Sequence, residues 1–273
     1  MRVIVWYSDG AASAVAAYYV LNFPRAYARN DVLVVKCDTT NDEHQDNVRF
    51  RQQVEGWIKH PITLISSEKY SGIDDVFTQT RYMAGISGAR CTTELKKLPR
   101  MKFQRPGDLH VFGYTADEQK RIKTFEENNP ELSCYWPLLE WNITKEQCYN
   151  ILKNVGIPLP KMYTLGFDHN NCLGCVKATS PKYWARVRQY FPEVFARRAT
   201  QSRALGVRLA RYKGKRIFLD ELPNIQAGKG GDGEIECGPF CEIPVDGTMP
   251  TPEEIAAMQE VEQLLSNPAR QEP

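Results

Sequence analysis

A short loop of small residues is the first place where this chain could do chemistry. Residues 8–13 read Ser-Asp-Gly-Ala-Ala-Ser, between an apolar, β-branched run at residues 3–7 and an Ala-rich run at residues 14–21. This order predicts a strand, a tight loop and a helix whose backbone amides converge on one point. That point suits a phosphate or a sulfate, to which the hydroxyls of Ser8 and Ser13 can donate. The alternative is an ordinary turn, in which Gly10 only permits the bend.

The loop differs from the two common phosphate-binding motifs. No Gly-Lys-Ser/Thr follows it, and it does not read Gly-x-Gly-x-x-Gly. Residues 228–233 formally contain the second motif, as Gly-Lys-Gly-Gly-Asp-Gly. No strong strand precedes them and no helix follows, so the sequence predicts a flexible loop there instead of a dinucleotide site.

A lone cysteine stands among cations. Cys91 follows Arg90, and Lys96 and Lys97 come about one helical turn later. Nearby positive charge favours a thiolate and lowers the pKa of a cysteine, which makes Cys91 a candidate nucleophile. The alternative is a small buried residue.

The composition bounds the class of protein. The chain has 273 residues, of which 42% are hydrophobic, and a formal net charge of +2. This length suffices for one large domain or a domain with a subdomain, and the net charge gives no general argument for nucleic acid. No stretch approaches the roughly 20 apolar residues of a membrane span. The N-terminus enters a strand without a secretory signal, so we expect a cytoplasmic protein with no membrane partner.

Four of the eight cysteines form two close pairs. Cys172 and Cys175 make a Cys-x-x-Cys, and Cys237 and Cys241 a looser second pair. Short spacings separated by a long insert predict a tetrahedral zinc site, and the same four thiolates could hold a 4Fe-4S cluster. A third arrangement places Cys91 with Cys172 and Cys175 on a cluster with one open iron. Four reduced structural cysteines are the remaining alternative.

A basic segment covers residues 182–216. It carries eleven basic residues against one acid, Glu193, and aromatic residues lie between them. Such a segment could follow a nucleic-acid backbone. The alternative is a solvated helical face whose aromatic side chains belong to the core.

Strands and helices alternate through the first half of the chain. Strands are predicted at 3–8, 32–38, 62–66 and 109–115, with helices at 13–21, 43–59, 74–83 and 117–128. This alternation predicts an α/β fold, a mostly parallel sheet with helices on both faces. Ligands of such sheets sit beyond the carboxyl ends of the strands, where Ser8, Asp38 and Tyr114 fall. Capping signals at Thr144 and Thr251 predict further helices, the second reaching about residue 265.

The alternation stops near residue 161. We therefore expect a nucleotide-binding α/β domain at 1–160 and a smaller, helical, basic, cysteine-containing subdomain at 161–243. A C-terminal helix and tail are expected at 244–273.

Four motifs, in order, resemble those of the phosphoadenosine phosphosulfate (PAPS) reductase family, within the adenine-nucleotide α-hydrolase superfamily of PP-loop ATP pyrophosphatases. Residues 8–13 take the place of the pyrophosphate loop, and residues 90–96 resemble a Cys-x-x-x-Leu-Lys signature. Residues 113–121 resemble a Gly-x-x-x-x-Glu-x-x-Arg stretch, and residues 162–177 are similar to the segment that carries Cys-x-x-Cys. The matches look most like the version encoded by bacteriophages and their hosts.

The resemblance implies a Rossmann-like domain that binds ATP or a sulfated adenylate of the PAPS type, with Mg²⁺ accompanying ATP. The implied chemistry is adenylyl activation or sulfur transfer. The alternatives are a true phosphoadenylyl-sulfate reductase that releases sulfite with a thioredoxin-like reductant, a nucleic-acid-binding or nucleic-acid-modifying sulfurtransferase, and a nucleotide-binding protein without catalysis. The oligomeric state is left open, with a homodimer as one alternative.

Candidate residues follow for each role. The catalytic candidates are Cys91 and Lys96, and the metal candidates are the four cysteines of the two pairs. Asp38 could accept hydrogen bonds from ribose or adenine, and Arg121 could bind a phosphate. The full set for the nucleotide is Tyr7, Ser8, Asp9, Gly10, Ala11, Ala12, Ser13, Asp38, Gly113, Tyr114 and Arg121.

The sequence also departs from the family pattern. Asp9 replaces the first glycine of the usual loop, and the loop has no lysine. Arg90 stands where the family has a second cysteine, and no cysteine follows Cys241 to act as the classical nucleophile. These departures indicate a divergent member and not an enzyme of sulfate assimilation.

Overall fold

The computed structural model describes residues 2–23, 31–85, 88–170 and 172–233. Its strands are β1 (Val3–Trp6), β2 (Val32–Cys37), β3 (Ile62–Ile65), β4 (Ala84–Gly85), β5 (Gly88–Ala89), β6 (Leu109–Val111), β7 (Ser133–Tyr135), β8 (Ala210–Tyr212) and β9 (Lys215–Ile217). Its α-helices are α1 (Ala11–Asn22), α2 (Asp46–Ile58), α3 (Ile73–Thr80), α4 (Arg90–Thr92), α5 (Leu98–Phe103), α6 (Gln119–Asn128), α7 (Pro137–Glu140), α8 (Lys145–Asn154), α9 (Lys161–Thr164), α10 (Pro181–Tyr190) and α11 (Pro192–Ala204). Turns of 3₁₀-helix cover Thr40–Asp42, Ala116–Glu118 and Leu219–Glu221, and a π-helical turn covers Thr93–Lys97.

Five strands form one parallel sheet, in the order β3-β2-β1-β6-β7. The centre is β1, where Val5 lies beside Val34 of β2 and Val111 of β6. Every residue of β1 is buried, as expected for a parallel strand covered on both faces. The predicted α/β class, with helices on both faces of a parallel sheet, is confirmed.

Helix α1 positions the loop that precedes it. It packs against α2, α7 and α8 as well as β1. Burial on several sides explains why α1 is rich in alanine, because small side chains let the neighbouring elements approach closely. The first residue of this rigid helix, Ala11, therefore holds the end of the β1–α1 loop in place.

Several element boundaries differ from the sequence-based ones. β6 ends at Val111, four residues before the predicted end, and residues 112–115 have no regular secondary structure. The helix that follows begins as a 3₁₀ turn capped by Thr115. The capping box of Thr144 is confirmed. β7 was not predicted, since its three residues are a short and only partly buried edge.

The chain forms two compact units. The first consists of Met1–Ser67 with Leu98–Leu165 and carries the five-stranded sheet. The second consists of Glu68–Lys97 with the chain from Gly166 onward, and it contains α10, α11 and the antiparallel pair β8–β9. The boundary predicted at residue 243 and the helix predicted from Thr251 lie outside the described residues. No helix among the described residues is long and apolar enough to cross a membrane.

The glycine-rich residues 228–233 are tied to the second unit, which corrects the expectation of a flexible loop. Arg186 is fully buried, pairs with Asp232, and donates to the carbonyls of Gly228 and Gly230 at 2.9 and 2.8 Å. Asp168 and Asp232 also exchange backbone-to-carboxylate hydrogen bonds of 2.7 and 2.9 Å. A buried ion pair is costly to break, so this cluster fixes the loop.

Candidate functional site

The β1–α1 loop is organised by its two serines. The backbone N–H of Ser8 donates to Oγ of Ser13 at 3.2 Å, and the Ser13 hydroxyl donates to the carbonyl of Gly10 at 3.0 Å. The two hydroxyl oxygens are 3.2 Å apart. The first turn of α1 contains no acidic residue. A helix N-terminus of this kind directs amide donors and positive partial charge toward an anion.

This loop lies at the point where the strand order of the sheet reverses. β1 has β2 on one side and β6 on the other, and the chain connections leave in opposite directions from it. Ligands of open α/β sheets bind in the crevice at such a point, beyond the carboxyl ends of the strands. Residues 8–13 follow β1, and Gly113 closely follows β6, so both belong to this crevice.

Gly113 touches the backbone of the loop. A Cβ built on Gly113 would lie 2.7 Å from both N and Cα of Ser13, and 2.9 Å from the carbonyl carbon of Ala12. These contacts are with backbone atoms, which cannot swing aside as a side chain could. Only glycine fits there, and the structure therefore brings the predicted residue Gly113 against the predicted loop.

Tyr163 is a residue of this site that the sequence analysis did not select. Its hydroxyl lies 3.7 Å from the position of a Cβ on Gly10. Burial raises the pKa of Tyr163 to about 12, and a hydrogen bond from the backbone of Ala11 partly offsets this. The phenol is therefore protonated at neutral pH. Its place in a segment that resembles a family motif, Met162–Phe167, was the available signal.

A cluster of buried charges surrounds Asp9. Oδ2 of Asp9 lies 3.2 Å from Nζ of Lys36 and 3.5 Å from Nη1 of Arg51. Nζ of Lys36 also lies 2.8 Å from Oε1 of Glu43. Asp9 is completely buried and has a positive φ of 56°. Aspartate tolerates this left-handed conformation better than most residues, which lets a residue with a charged side chain occupy this position.

The pKa values of the two acids in this cluster are shifted in opposite directions. Burial raises the pKa of Asp9 to about 6, although Lys36 and Arg51 oppose the shift. Burial also raises the pKa of Glu43, but the charge of Lys36 and hydrogen bonds from Lys36, Thr39 and Asn47 outweigh it and leave that pKa lowered. Burial and the nearby Asp9 raise the pKa of Tyr7 well above its usual range. Asp9 is thus the member that titrates near neutral pH.

Lys36 and Arg51 were not among the sequence-predicted residues. Lys36 occupies a strand that is otherwise apolar apart from its cysteine, Val-Leu-Val-Val-Lys-Cys. A buried charge must be paired, so a lysine in such a strand was a usable signal. Nothing in the sequence showed that its partner is Asp9, because that pairing depends on the neighbourhood of β1 and β2.

Three other candidates for the nucleotide have partners of their own. Asp38 accepts a hydrogen bond from the backbone of Thr40 at 3.0 Å, at the start of the 3₁₀ turn that follows β2. Arg121 pairs with Glu118 and lies 4.8 Å from the ring centroid of Tyr114. Their assignment to the nucleotide stays a prediction.

The catalytic candidates belong to the second unit. Cys91 is buried at 8% exposure and lies in the short helix α4. The guanidinium of Arg90, one of the cations expected to act on Cys91, lies 2.8 Å from Oε1 of Glu94. Lys96 is half-buried in the π-helical turn, a distortion frequent at functional sites. The catalytic role of Cys91 and Lys96 stays a prediction.

The Cys172–Cys175 turn is held by contacts from two helices. The phenol of Tyr183 accepts a hydrogen bond from the backbone of Cys175 at 2.7 Å, and Nε of Arg198 donates to the carbonyl of Gly174 at 3.2 Å. Gly174 has a φ of +63°, and a Cβ there would lie 2.7 Å from Val194. Both cysteines are buried. The backbone of the turn is therefore held by contacts from both helices.

This turn fits one half of a tetrathiolate site. Two buried thiols on a Cys-x-x-Cys turn are the usual half-site for zinc or an iron–sulfur cluster. Across the described ranges, no group of three or more His, Cys, Asp and Glu side chains is placed to hold a metal ion, so Cys91, Cys172 and Cys175 do not form one. Cys237 and Cys241 lie outside the described residues.

The basic segment is largely used inside the second unit. Arg198 pairs with Asp74, and Arg203 lies 3.0 Å from Asp220. Arg188 donates to the carbonyl of Leu222 at 2.6 Å. Arg186 likewise pairs with Asp232. These arginines of the helical part of residues 182–216 therefore contribute to packing inside this unit.

Comparisons with known proteins find similarity to solved structures. Neither a protein-family model nor a curated protein sequence matches the chain. Among solved structures, the chain is similar to a crystal structure of phosphoadenylyl-sulfate (PAPS) reductase from Candida auris in a phosphate complex. The sequence identity is 10% and the TM-score 0.48, over 63% of this chain and 81% of the other. A similarity of this extent assigns no function.

Proposed function

We propose that the chain is a PAPS reductase-like enzyme that binds an adenine nucleotide, ATP or a sulfated adenylate, at residues 8–13. The observation that carries this proposal is the position of the loop. It joins the central strand to a helix N-terminus at the reversal point of the sheet, and Gly113 packs directly on it. Backbone amides, two hydroxyls and a helix dipole at such a point favour a pyrophosphate or a sulfated phosphate.

Binding is tested first, with ATP, adenosine 3′,5′-bisphosphate, AMP and GTP measured by calorimetry. We expect the two adenine nucleotides with two or more phosphates to bind more tightly than AMP. Ser13→Ala removes the hydroxyl that organises the loop and should weaken binding about tenfold, since it removes hydrogen bonds to the anion-binding segment. Ser202→Ala, a buried serine of the second unit, is the matched control. Equal affinity of wild type and Ser13→Ala for ATP would contradict the assignment of the loop.

The proposed reaction is adenylyl activation or sulfur transfer with Cys91 as nucleophile and Lys96 as its cationic neighbour. Turnover is followed as AMP or pyrophosphate release from ATP and as sulfite release from PAPS with a thioredoxin-like reductant. Sulfite release would favour the alternative of a true reductase. Cys91→Ser should abolish either activity while nucleotide binding persists. Binding without any turnover by wild type would favour a protein that binds nucleotide but does not catalyse.

A metal is the second proposed cofactor. The Cys172–Cys175 turn supplies two thiolates, and Cys237 and Cys241 are proposed as the other two ligands of Zn²⁺ or a 4Fe-4S cluster. Zinc would act as a structural clip, whereas a cluster would supply electron-transfer or sulfur chemistry. Mg²⁺ would accompany ATP.

One observation favours nucleic acid as a further partner. The hairpin β8–β9 presents exposed Lys213 and Lys215 around the tight turn at Gly214, and Arg208 is exposed just before it. No carboxylate of the described residues forms an ion pair with these three side chains. A cationic hairpin of this kind could bind a phosphate backbone. Salt-dependent binding to DNA or RNA that Lys213→Ala with Lys215→Ala weakens would support this, and salt-independent binding would contradict it.

A further inference from the structure

The loop at residues 8–13 contains a feature that opposes its proposed function. Asp9 places a carboxylate inside a segment that is proposed to bind a polyanion. Like charges a few ångströms apart repel strongly at the effective dielectric constant of a protein interior. The loop can therefore bind an anion only if the charge of Asp9 is cancelled or removed.

The structure shows how that charge is cancelled. Among the described residues, the titratable groups that face Asp9 are Tyr7 just after β1, Lys36 of β2, Glu43 just before α2, and Arg51 of α2. Two acids and two bases in this cluster sum to no net charge. The Asp9 carboxylate is turned inward to the cations and is completely buried.

We propose that Lys36 and Arg51 are positioning residues that hold Asp9 inward and neutralise it, so that residues 8–13 can accept an anion. A lysine on the neighbouring strand thus serves the anion site without belonging to the loop. This inference rests on the proposed function of the loop and specifies the electrostatic device on which it depends.

The charge balance predicts how each variant should depend on pH. Lys36→Met leaves two acids against Arg51 alone, so the cluster becomes negative whenever Asp9 is ionised. Burial already raises the pKa of Asp9 to about 6, and losing Lys36 raises it further. Mild acid should therefore protonate Asp9 and restore the loop. Asp9→Asn removes both the charge and its titration, and asparagine also tolerates the left-handed backbone at this position.

Inorganic sulfate is a suitable probe, because it keeps two negative charges between pH 5.5 and pH 8 and only the protein titrates. Its affinity is measured from the amide chemical shifts of residues 8–13. At pH 8 we expect Lys36→Met to bind about tenfold more weakly than wild type, and at pH 5.5 to bind within about twofold of wild type at pH 8. Asp9→Asn should bind at least as tightly as wild type, with no pH dependence. The double variant should return to within about twofold of wild type.

Arg49→Met is the matched control, since Arg49 is a cation of the same helix α2 that pairs with Asp46 instead of Asp9. It should change sulfate affinity by less than about twofold. An equal loss in Arg49→Met and Lys36→Met would overturn the inference. So would wild-type affinity of Lys36→Met at pH 8, or a loss that Asp9→Asn fails to restore.

Two further outcomes keep this inference separate from the proposed function. If wild type binds neither sulfate nor ATP at the loop, the proposed function itself is wrong. If circular dichroism shows that Lys36→Met does not fold, the sulfate affinity of Asp9→Asn and its pH dependence test the inference on their own. Weaker binding by that variant, or a pH dependence like that of wild type, would overturn the inference.

Discussion

Replacing Gly113 by alanine tests how closely this residue packs against Ser13 and whether that packing matters for nucleotide binding. The added Cβ would lie 2.7 Å from two backbone atoms of Ser13. Contacts of that length force the backbone to move, and overpacking of this kind costs about 1–3 kcal/mol of unfolding free energy. For a domain of this size, that corresponds to a fall in Tm of roughly 3–10 °C. Because the atoms that must move belong to the loop, we also expect nucleotide affinity to fall.

Gly56→Ala is the matched control. Gly56 lies in α2, where an added Cβ would meet no other atom within 4 Å. The same chemical change there should stabilise the protein by about 0.5–1 kcal/mol, because alanine loses less backbone entropy in a helix than glycine does. The pair of variants therefore gives opposite signs for one substitution.

Urea unfolding gives the free energies, and calorimetry with ATP at a temperature where both variants are folded gives the affinities. A Gly113→Ala protein with wild-type stability would refute the close approach of Gly113 to Ser13. A destabilised variant with wild-type affinity for ATP would keep that contact but refute the assignment of the crevice to the nucleotide.

Three further predictions concern other parts of the molecule. Asp232→Asn breaks the buried pair with Arg186 and should cost about 3–5 kcal/mol in urea unfolding, whereas a loss below about 1 kcal/mol would show that the pair is solvated. Burial lowers the pKa of His110 to about 4, so the unfolded chain takes up a proton first and unfolding free energy should fall as pH drops from about 6.5 to 4. His110→Gln should flatten that decline, and an unchanged slope would contradict it. Metal analysis after anaerobic purification should find one zinc or about four irons per chain. Replacing Cys172 and Cys175 by serine should remove this metal. Equal metal content in the variant would show that these two cysteines are not ligands.

The pattern of apolar residues was sufficient to predict the central part of the sheet. Apolar and β-branched residues dominate the short runs that became β1, β2, β3 and β6, so their type could be assigned locally. The helix opened by Thr144 was equally local, since a capping box involves residues three apart. β7 was not predicted, because three partly exposed residues at the edge of the sheet show no such pattern.

The sequence was sufficient to predict only part of the candidate site. Small residues between a strand and an Ala-rich helix indicated an anion loop, and this reasoning needed no tertiary structure. The need for glycine at residue 113 could not be derived, because it comes from contact with a loop one hundred residues earlier in the chain.

What the sequence by itself determined is therefore the set of elements and the chemistry each could offer, because periodicity, caps and turns depend on neighbours along the chain. Tertiary structure decided which charges meet. The order β3-β2-β1-β6-β7 places Lys36 beside Asp9, and the packing of α2 adds Arg51. Electrostatic energy depends on distance in space, and separation along the chain does not report that distance.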